Sequence, residues 1–500
     1  MSNHVVLNKG AKKETNRPFV LLSIILALFM GAIEGTIVST AMPEIVGELG
    51  NFSLYSWVFS AYLLMNTVTV LIYGKLSDLF GRKPILLFGT SIFLLGSLGA
   101  GFAWSMQSLI AFRFIQGFGA GAITPVAMTI VGDLYTKEER AKVQGYISSV
   151  WGISAILGPA LGGLLINYSS WSWIFWINIP LGLLSVGGLC FFFHEHKNVK
   201  KQKIDYIGTS LLCVTLTLLM YLFVEGGVTF SWLSLPSLVL LAVISVFIIM
   251  FVKHQNRVAE PVMPFFIWRN KSILYANVIS LITGIILIGI SSYLPTFVQG
   301  VMGKTPTVAG FTLTAMSIGW PIASYLSGHM MLKIGYRATC RIGGLFILLG
   351  SVSFVLLPYH EHVVQAAAGS FLIGVGMGLT STSFIVFIQS TVEWDQRGAA
   401  TAANTFMKNL GNTIGAAFLG GMLNNQLNSY FSQHGNENLD LNSVTELLDK
   451  EAQSSLGSGK IDMLQAGLTH SLGIVYFIVF ILAVISLVFI FKLPEKEHDR

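Results

Sequence analysis

Residues 54–104 read LYSWVFSAYLLMNTVTVLIYGKLSDLFGRKPILLFGTSIFLLGSLGAGFAW, and this stretch decides the fold. Two apolar runs, 54–74 and 84–104, flank a short segment that holds Lys75, Asp78, Arg82 and Lys83. A helix needs ~20 apolar residues to cross a hydrocarbon layer ~30 Å thick, and each run meets that length. The stretch is therefore a pair of transmembrane helices joined by a basic hinge, with the hinge in the cytoplasm.

The same pattern extends in both directions. Apolar runs fall at 18–41, 54–74, 84–104, 107–132, 141–166, 171–193, 206–225 and 235–253, then at 272–297, 308–331, 339–358, 363–389, 398–424 and 469–492. With the N-terminus in the cytoplasm, 25 of the 30 Lys and Arg residues fall on inner segments. Only Lys304, Lys450 and Lys460 fall on outer loops, while Arg113 and Lys408 lie within spans. Short loops obey such a bias, and an odd number of spans would destroy it. The sequence thus predicts an all-α integral membrane protein with 14 transmembrane helices and both termini cytoplasmic. The outer segment from about 425 to 468 is too short for a core of its own. Its Ser443-Val-Thr-Glu446 has capping-box spacing and predicts a short helix in a surface hairpin.

Composition agrees. Hydrophobic residues make up 53% of the chain and charged residues 11%, too few to clothe a soluble protein of 500 residues. Cys190, Cys213 and Cys340 lie in apolar runs, with no spacing that suits a metal or a disulfide framework. The net charge of +6 is scattered over many loops and forms no continuous basic face, which excludes a nucleic-acid partner. The first apolar run is too long for the core of a cleavable signal.

Two stretches of the chain align at a shift of 257 residues. Gly117, Gly119 and Gly121 map onto Gly374, Gly376 and Gly378, Arg140 onto Arg397, and Gly158 onto Gly415. Gly74 and Gly81-Arg82 find an echo in Gly328 and Gly335-Tyr-Arg337. Each match displaces the pattern by eight helices, so two helices stand between six-helix halves. The division is 1–205, an insert at 206–257, and 258–500. Parallel repeats of this kind are a transporter architecture with the substrate site between the halves.

Five motifs in order carry a family resemblance. They are Glu34-Gly-Thr-Ile-Val-Ser-Thr-Ala-Met-Pro43, Gly74-Lys-Leu-Ser-Asp78-Leu-Phe-Gly81-Arg82-Lys83, Arg113-Phe-Ile-Gln116-Gly117-Phe-Gly119, Gly152-Ile-Ser-Ala-Ile-Leu-Gly158-Pro159-Ala-Leu-Gly162-Gly163, and Trp171-Ser-Trp-Ile-Phe-Trp-Ile-Asn178-Ile-Pro180. Together they resemble the fourteen-helix drug/proton antiporters of the major facilitator superfamily, over nearly the whole chain. One departure is Glu34, which stands where that group usually has Asp. The resemblance implies the major facilitator fold and a proton-coupled multidrug efflux transporter of a bacterial plasma membrane. It further implies a monomer that needs no cofactor or metal and acts on small amphipathic substrates and protons.

Residue chemistry gives these motifs content. A carboxyl group within a span is costly and marks a functional site by default. Glu34 lies 16 residues, or ~24 Å, from the inner end of its helix, and Arg113 lies six residues, or ~9 Å, from the outer end of its own. In a ~30 Å layer the two share one depth, so they can pair. They form either the proton site, as the resemblance implies, or a structural ion pair. Gly74, Asp78, Gly81 and Arg82 form a candidate cytoplasmic gate, with Asp78 expected to reach the opposite half. Gly152, Gly158, Gly162 and Gly163 set small residues on one helix face for close approach, and Pro159 can kink that helix. Trp57, Tyr62, Asn66, Gln116, Trp151, Asn404 and Lys408 are candidates for the substrate cavity. Lys408 either meets anionic or neutral substrates or snorkels to backbone carbonyls. The alternative function on the same fold is export of one physiological metabolite, lipid precursor or siderophore. No phosphate-binding loop for an ATP-driven pump occurs, and nothing in the sequence suggests an enzyme.

Overall fold

A computed structural model describes residues 15–195, 205–226, 229–258, 261, 268, 270–391, 397–434, 439–448 and 456–493. The helices are α1 (Arg17–Leu49), α2 (Tyr55–Phe80), α3 (Arg82–Gly101), α4 (Met106–Leu134), α5 (Lys137–Tyr168), α6 (Trp173–Trp176) and α7 (Asn178–Phe192). An inserted pair follows, α8 (Tyr206–Glu225) and α9 (Leu235–Gln255). The remainder comprises α10 (Lys271–Thr296), α11 (Pro306–His360), α12 (Val363–Thr391), α13 (Arg397–His434), the short α14 (Ser443–Leu448) and α15 (Ser458–Phe491).

Among the described residues, twelve helical segments are long and apolar enough to cross a membrane, with α6 and α7 together forming one of them. One of the twelve, α11, has 55 residues and would extend ~82 Å if straight, far beyond the ~30 Å core. It breaks at Gly335, where φ is 78° and ψ is 163°, a conformation open to glycine. Each arm alone is long enough to cross the core. α13 is not among the twelve: its six asparagines and Lys408 keep its hydropathy low although it packs inside the bundle against α2, α8 and α10.

The internal repeat appears as matched helix contacts. A Cβ on Gly117 of α4 would strike the Tyr62 carbonyl of α2, and one on Gly374 of α12 would strike the Met316 carbonyl, 254 residues beyond Tyr62. Gly119 meets Gly89 and Phe93, and Gly376 meets Gly343 and Ile347 at the same offset. Gly158 of α5 meets Ile33 and Thr36, and Gly415 of α13 meets Ile285 and Ile288, 252 residues on. Thus α1 to α5 correspond to α10, the two arms of α11, α12 and α13. Small residues at these crossings let backbones touch where lipid offers no hydrophobic drive.

Taking the basic loops as inner, the largest core that the two halves share lies toward the outer side. One large apolar cluster joins Ile37, Met42, Tyr55 and Phe59 to Ile285, Tyr293, Phe297 and Leu313. Toward the inner side, the cluster around Val20, Phe93 and Ile130 belongs to the N-terminal half alone, and that around Ile273, Phe384 and Ile490 to the C-terminal half alone.

The outer segment differs from expectation in its boundaries. α13 continues to His434 and α15 already begins at Ser458, because Leu427, Phe431 and Leu464 continue the buried stripe past the expected ends. The short helix forms, but its cap lies three residues earlier than expected. The Ser443 N–H donates to Asp440 Oδ1 at 2.9 Å, and the Asp440 N–H donates to Ser443 Oγ at 3.1 Å. Glu446 pairs instead with Lys460 Nζ at 2.6 Å.

Candidate functional site

Glu34 sits on α1 with no exposed surface, and two other helices aim polar groups at it. Arg113 of α4 donates from Nη1 to Glu34 Oε1. Asn178, the first residue of α7, donates from Nδ2 to Glu34 Oε2 at 2.8 Å. The same amide nitrogen donates to Ser97 Oγ of α3 at 3.0 Å. Ser97 uses its whole capacity: its hydroxyl donates to the Phe175 carbonyl at 3.0 Å, and its oxygen also accepts from Gln116 Nε2 at 3.1 Å.

Arg113 has further anchors. Its Nε donates to the Val58 carbonyl at 3.2 Å and its Nη1 to Gln116 Oε1 at 2.6 Å. The guanidinium carbon stands 4.3 Å from the centre of the Tyr62 ring, within cation–π range. A buried charge pair is costly unless its remaining donors and acceptors are satisfied, and here Arg113 Nε and Nη1 and both Glu34 oxygens have partners. Asn178 Oδ1 is buried with no hydrogen-bond partner.

The sequence paired Glu34 with Arg113 but offered Tyr62 and Gln116 as lining of the substrate cavity, whereas both lie against Arg113 in this network, and it missed the roles of Ser97 and Asn178. Asn178 was visible as the polar residue of the Trp171–Pro180 motif; Ser97 carried no signal. By the repeat offsets, Glu34 and Arg113 correspond to Ile286 and Ser370, so the charged pair has no counterpart in the C-terminal half.

The cytoplasmic motif is tied within its own half. Gly81 has φ of 100°, and the next two N–H groups, of Arg82 and Lys83, donate to the Glu195 carboxylate at 2.7 and 3.0 Å. Arg82 Nε lies 3.1 Å from Asp133 Oδ2, and Lys83 Nζ donates to the Phe193 carbonyl at 2.6 Å. Glu195 and Asp133 were not anticipated from sequence. Gly74 lies nearby on α2; the side chain of Asp78, and with it the expected reach to the opposite half, lies outside the described residues.

The glycine motif of α5 faces two helices. Gly158 and Gly162 lie against Thr36, Ile37 and Thr40 of α1. Gly163 lies against Thr307 of α11, Gly152 approaches Pro321, and the Pro159 carbonyl meets Gly310. Most polar bonds between the halves share this outer location. Tyr55 Oη donates to the Ser292 carbonyl at 2.6 Å, Gln299 Nε2 to the Thr40 carbonyl at 3.1 Å, Asn424 Nδ2 to the Ser53 carbonyl at 2.7 Å, and Asn167 Nδ2 to Thr307 Oγ1. The Thr67–Thr413 hydroxyl contact at 3.0 Å lies near mid-membrane. Among the described residues no hydrogen bond joins the halves nearer the inner side. The described bonds between the halves thus gather from mid-membrane to the outer side.

The remaining cavity candidates separate. Trp151 is 44% exposed and Asn66 half-buried. Lys408 Nζ sits 4.3 Å from the centre of the Trp320 ring. By the repeat offsets, Lys408 and Trp320 correspond to Trp151 and Asn66, so the four mark equivalent positions in the two halves. Trp57 instead turns to the insert, donating from Nε1 to Glu225 Oε1 at 3.3 Å. Asn404 is buried inside its own half, donating to Ser280 Oγ at 2.8 Å and Asn277 Oδ1 at 3.0 Å. Among the described residues no cluster of three or more His, Cys, Asp or Glu could hold a metal ion.

The sequence profile of the Major Facilitator Superfamily matches residues 24–416. Multidrug resistance protein 3 of Bacillus subtilis is 35% identical over 424 residues, covering 84% of this chain and 83% of that protein. Multidrug transporter protein MdtP of the same organism is 32% identical over 412 residues, covering 82% and 76%. Among solved structures, a bacterial homolog of the human lysosomal transporter Spinster, inward-facing and occupied, superposes with a TM-score of 0.67 at 14% identity, covering 97% of each chain. A D-xylose-proton symporter gives a TM-score of 0.65 at 14% identity, covering 97% of this chain and 99% of that one. At such identity the structural likeness speaks for the fold.

Proposed function

Since the chain belongs to the major facilitator superfamily, we propose that it is a monomeric proton-coupled antiporter exporting lipophilic, often cationic compounds across a bacterial plasma membrane. The observation that carries this reading is Glu34, a carboxylate with no exposed surface whose partners can serve either protonation state. When Glu34 is ionised, Arg113 and Asn178 both donate to it. When it takes a proton, its new O–H needs an acceptor. Rotation of the Asn178 amide brings Oδ1, now without a partner, into that place. Arg113 then keeps Gln116, the Val58 carbonyl and the Tyr62 face. In both states the Glu34 carboxyl and the Arg113 guanidinium each keep hydrogen-bond partners.

Coupling follows from opposed demands. In an inward-open state, substrate enters between the halves beside Trp151, Asn66, Trp320 and Lys408, all away from the Glu34 network. The halves then rock, separating the outer contacts of Tyr55, Gln299 and Asn424 while the inner ends close. A proton drawn from outside neutralises Glu34 and loosens the Arg113 tie between α1 and α4, which biases the return. The energy comes from the proton gradient, with no cofactor. The Bacillus relatives named for multidrug resistance and transport support a broad substrate range.

A second reading, a dedicated exporter of one anionic metabolite or lipid precursor, is favoured by Lys408. Among the described residues no carboxylate pairs with its ammonium, which rests on an aromatic ring. Purified protein in proteoliposomes, with a substrate panel spanning cations, neutral compounds and anions, tests both. Efflux of several unrelated cations that stops when the pH gradient is collapsed supports the first reading. Transport of one anionic class supports the second, and transport indifferent to the gradient refutes proton coupling.

A further inference from the structure

Two seams run between the halves, and they meet the bilayer differently. Along one, α5 packs directly on α11, and both turn apolar side chains outward: Ile153, Phe311 and Ile322 are each at least half exposed. Along the other, α2 packs on α13 and the inserted α8 packs on both. No described residue of α2 from 55 to 74, nor of α13 from 406 to 427, is exposed. Leu64 and Val68 of α2, Leu216 and Met220 of α8, and Phe406 and Ala417 of α13 form one buried cluster through this seam. Lipid instead meets α9, where Val239, Val246 and Ile249 are each more than half exposed.

The insert grips its two neighbours unequally. Against α13 the contact reaches the backbone: a Cβ on Gly421 would stand 1.6 Å from the Phe223 carbonyl oxygen of α8. Beside it the Phe223 ring meets Phe418 edge-on, with centroids 5.4 Å apart. Against α2, among the described residues, the contact is one hydrogen bond, Trp57 to Glu225, above a surface of aliphatic side chains. The hairpin is held together at its inner end by Asp205, which accepts from Gly208 N, His254 Nε2 and Gln255 Nε2 at 2.8, 2.7 and 2.5 Å. Packed backbones move as one body, whereas smooth side-chain surfaces allow shear.

We propose that α8 is a seal carried by the C-terminal half: it closes the α2/α13 seam to lipid and slides over α2 as the halves rock. Compounds dissolved in the bilayer then reach the cavity through the α5/α11 seam. This last consequence rests on the efflux reading; the seal itself does not.

Photolabelling in membranes with a lipid-soluble aryl diazirine, read peptide by peptide by mass spectrometry, tests the seal without any transport. Residues 152–164 of α5 are expected to take label at least ten times more heavily than residues 55–74 of α2. Gly421→Leu, which pushes α8 off α13, should raise the labelling of α2 several-fold. Equal labelling of α2 and α5 in the unaltered protein overturns the proposal, as does Gly421→Leu leaving α2 dark. A second arm tests the attachment. In a background of Cys190→Ser, Cys213→Ala and Cys340→Ala, the pair Phe223→Cys and Phe418→Cys should form a disulfide on oxidation and keep efflux within about twofold. Failure to cross-link, or an arrest reversed by reductant, overturns the proposal. If no substrate is exported before oxidation, the efflux reading fails while the labelling result stands.

Discussion

Gly163→Val should unlock the outer side. A Cβ at Gly163 would lie 2.6 Å from Thr307 Cα and 2.8 Å from the Pro306 carbonyl oxygen. Ordinary carbon contacts sit at ~3.5–4.0 Å, so α5 and α11 must part by ~1 Å, and valine adds two methyls beyond the Cβ. Overpacking of this kind costs about 1–3 kcal/mol. The penalty falls on the outward-closed state, because Gly163 meets α11 only where the outer seal is shut. At ~1.4 kcal/mol per tenfold, the equilibrium should move toward the outward-open state by roughly fivefold to a hundredfold. Thr40 reports the change: it is buried, its hydroxyl has no partner, and its methyl lies near Gly310. With Thr40→Cys in a background free of other cysteines, a membrane-impermeant maleimide added from outside should react faster in Gly163→Val by that factor. Gly163→Ala should give a smaller rise. Unchanged labelling in folded Gly163→Val protein would refute the idea that close packing at this glycine holds the outer side shut.

Other changes probe the buried network and the insert. Asn178→Ala removes a donor from the Glu34 carboxylate, an interaction of about 1.5–3 kcal/mol for a charged acceptor, and should slow efflux at least tenfold in initial-rate assays. Ser97→Ala, one bond further from the carboxylate, should slow it less. Arg113→Lys keeps the charge but cannot serve Glu34, Gln116 and the Val58 carbonyl in one plane, so turnover should fall tenfold or more with insertion unchanged by fluorescence size-exclusion. Asp205→Ala removes the cap of α8 and should lower stability by about 1 kcal/mol in thermal unfolding in detergent. Burial pushes the Asp205 carboxyl up, but the Gly208 N–H, then His254 and Gln255, outweigh it and hold it below the usual carboxylate range. Its stabilising share is therefore complete above the unfolded value of ~3.9 and fades only as pH falls through the lower folded value, so the Asp205→Ala deficit should vanish in strong acid.

Much of the fold was legible because membrane insertion writes itself in one dimension, as apolar length and loop charge. The repeat was legible because glycines at helix crossings cannot be replaced without parting backbones, as the paired contacts of Gly117 and Gly374 show. The break at Gly335 was signalled by its match to Gly81, which also has positive φ. At the site, charge made Glu34 and Arg113 conspicuous, and helix depth allowed their pairing. Ser97 was invisible, since one hydroxyl in an apolar helix usually bonds its own backbone. Trp57 was misleading: its depth suits a cavity, but rotation about the helix turns it to the insert, and depth alone does not fix that angle. Glu195 and Asp133 lie at helix ends distant in sequence, where only the packing of α3 between α4 and α7 brings them to Arg82.

The central claim is that Glu34 carries the proton, and Glu34→Gln tests it most directly. Glutamine keeps the size and can accept from Arg113, so the helices should still pack, but it cannot exchange a proton. In proteoliposomes with an imposed pH gradient, the unaltered protein should accumulate substrate against its gradient and Glu34→Gln should not. The variant should also lose the proton flux that substrate evokes, read by an entrapped pH dye. Gradient-driven accumulation and proton flux that persist in Glu34→Gln would contradict the account.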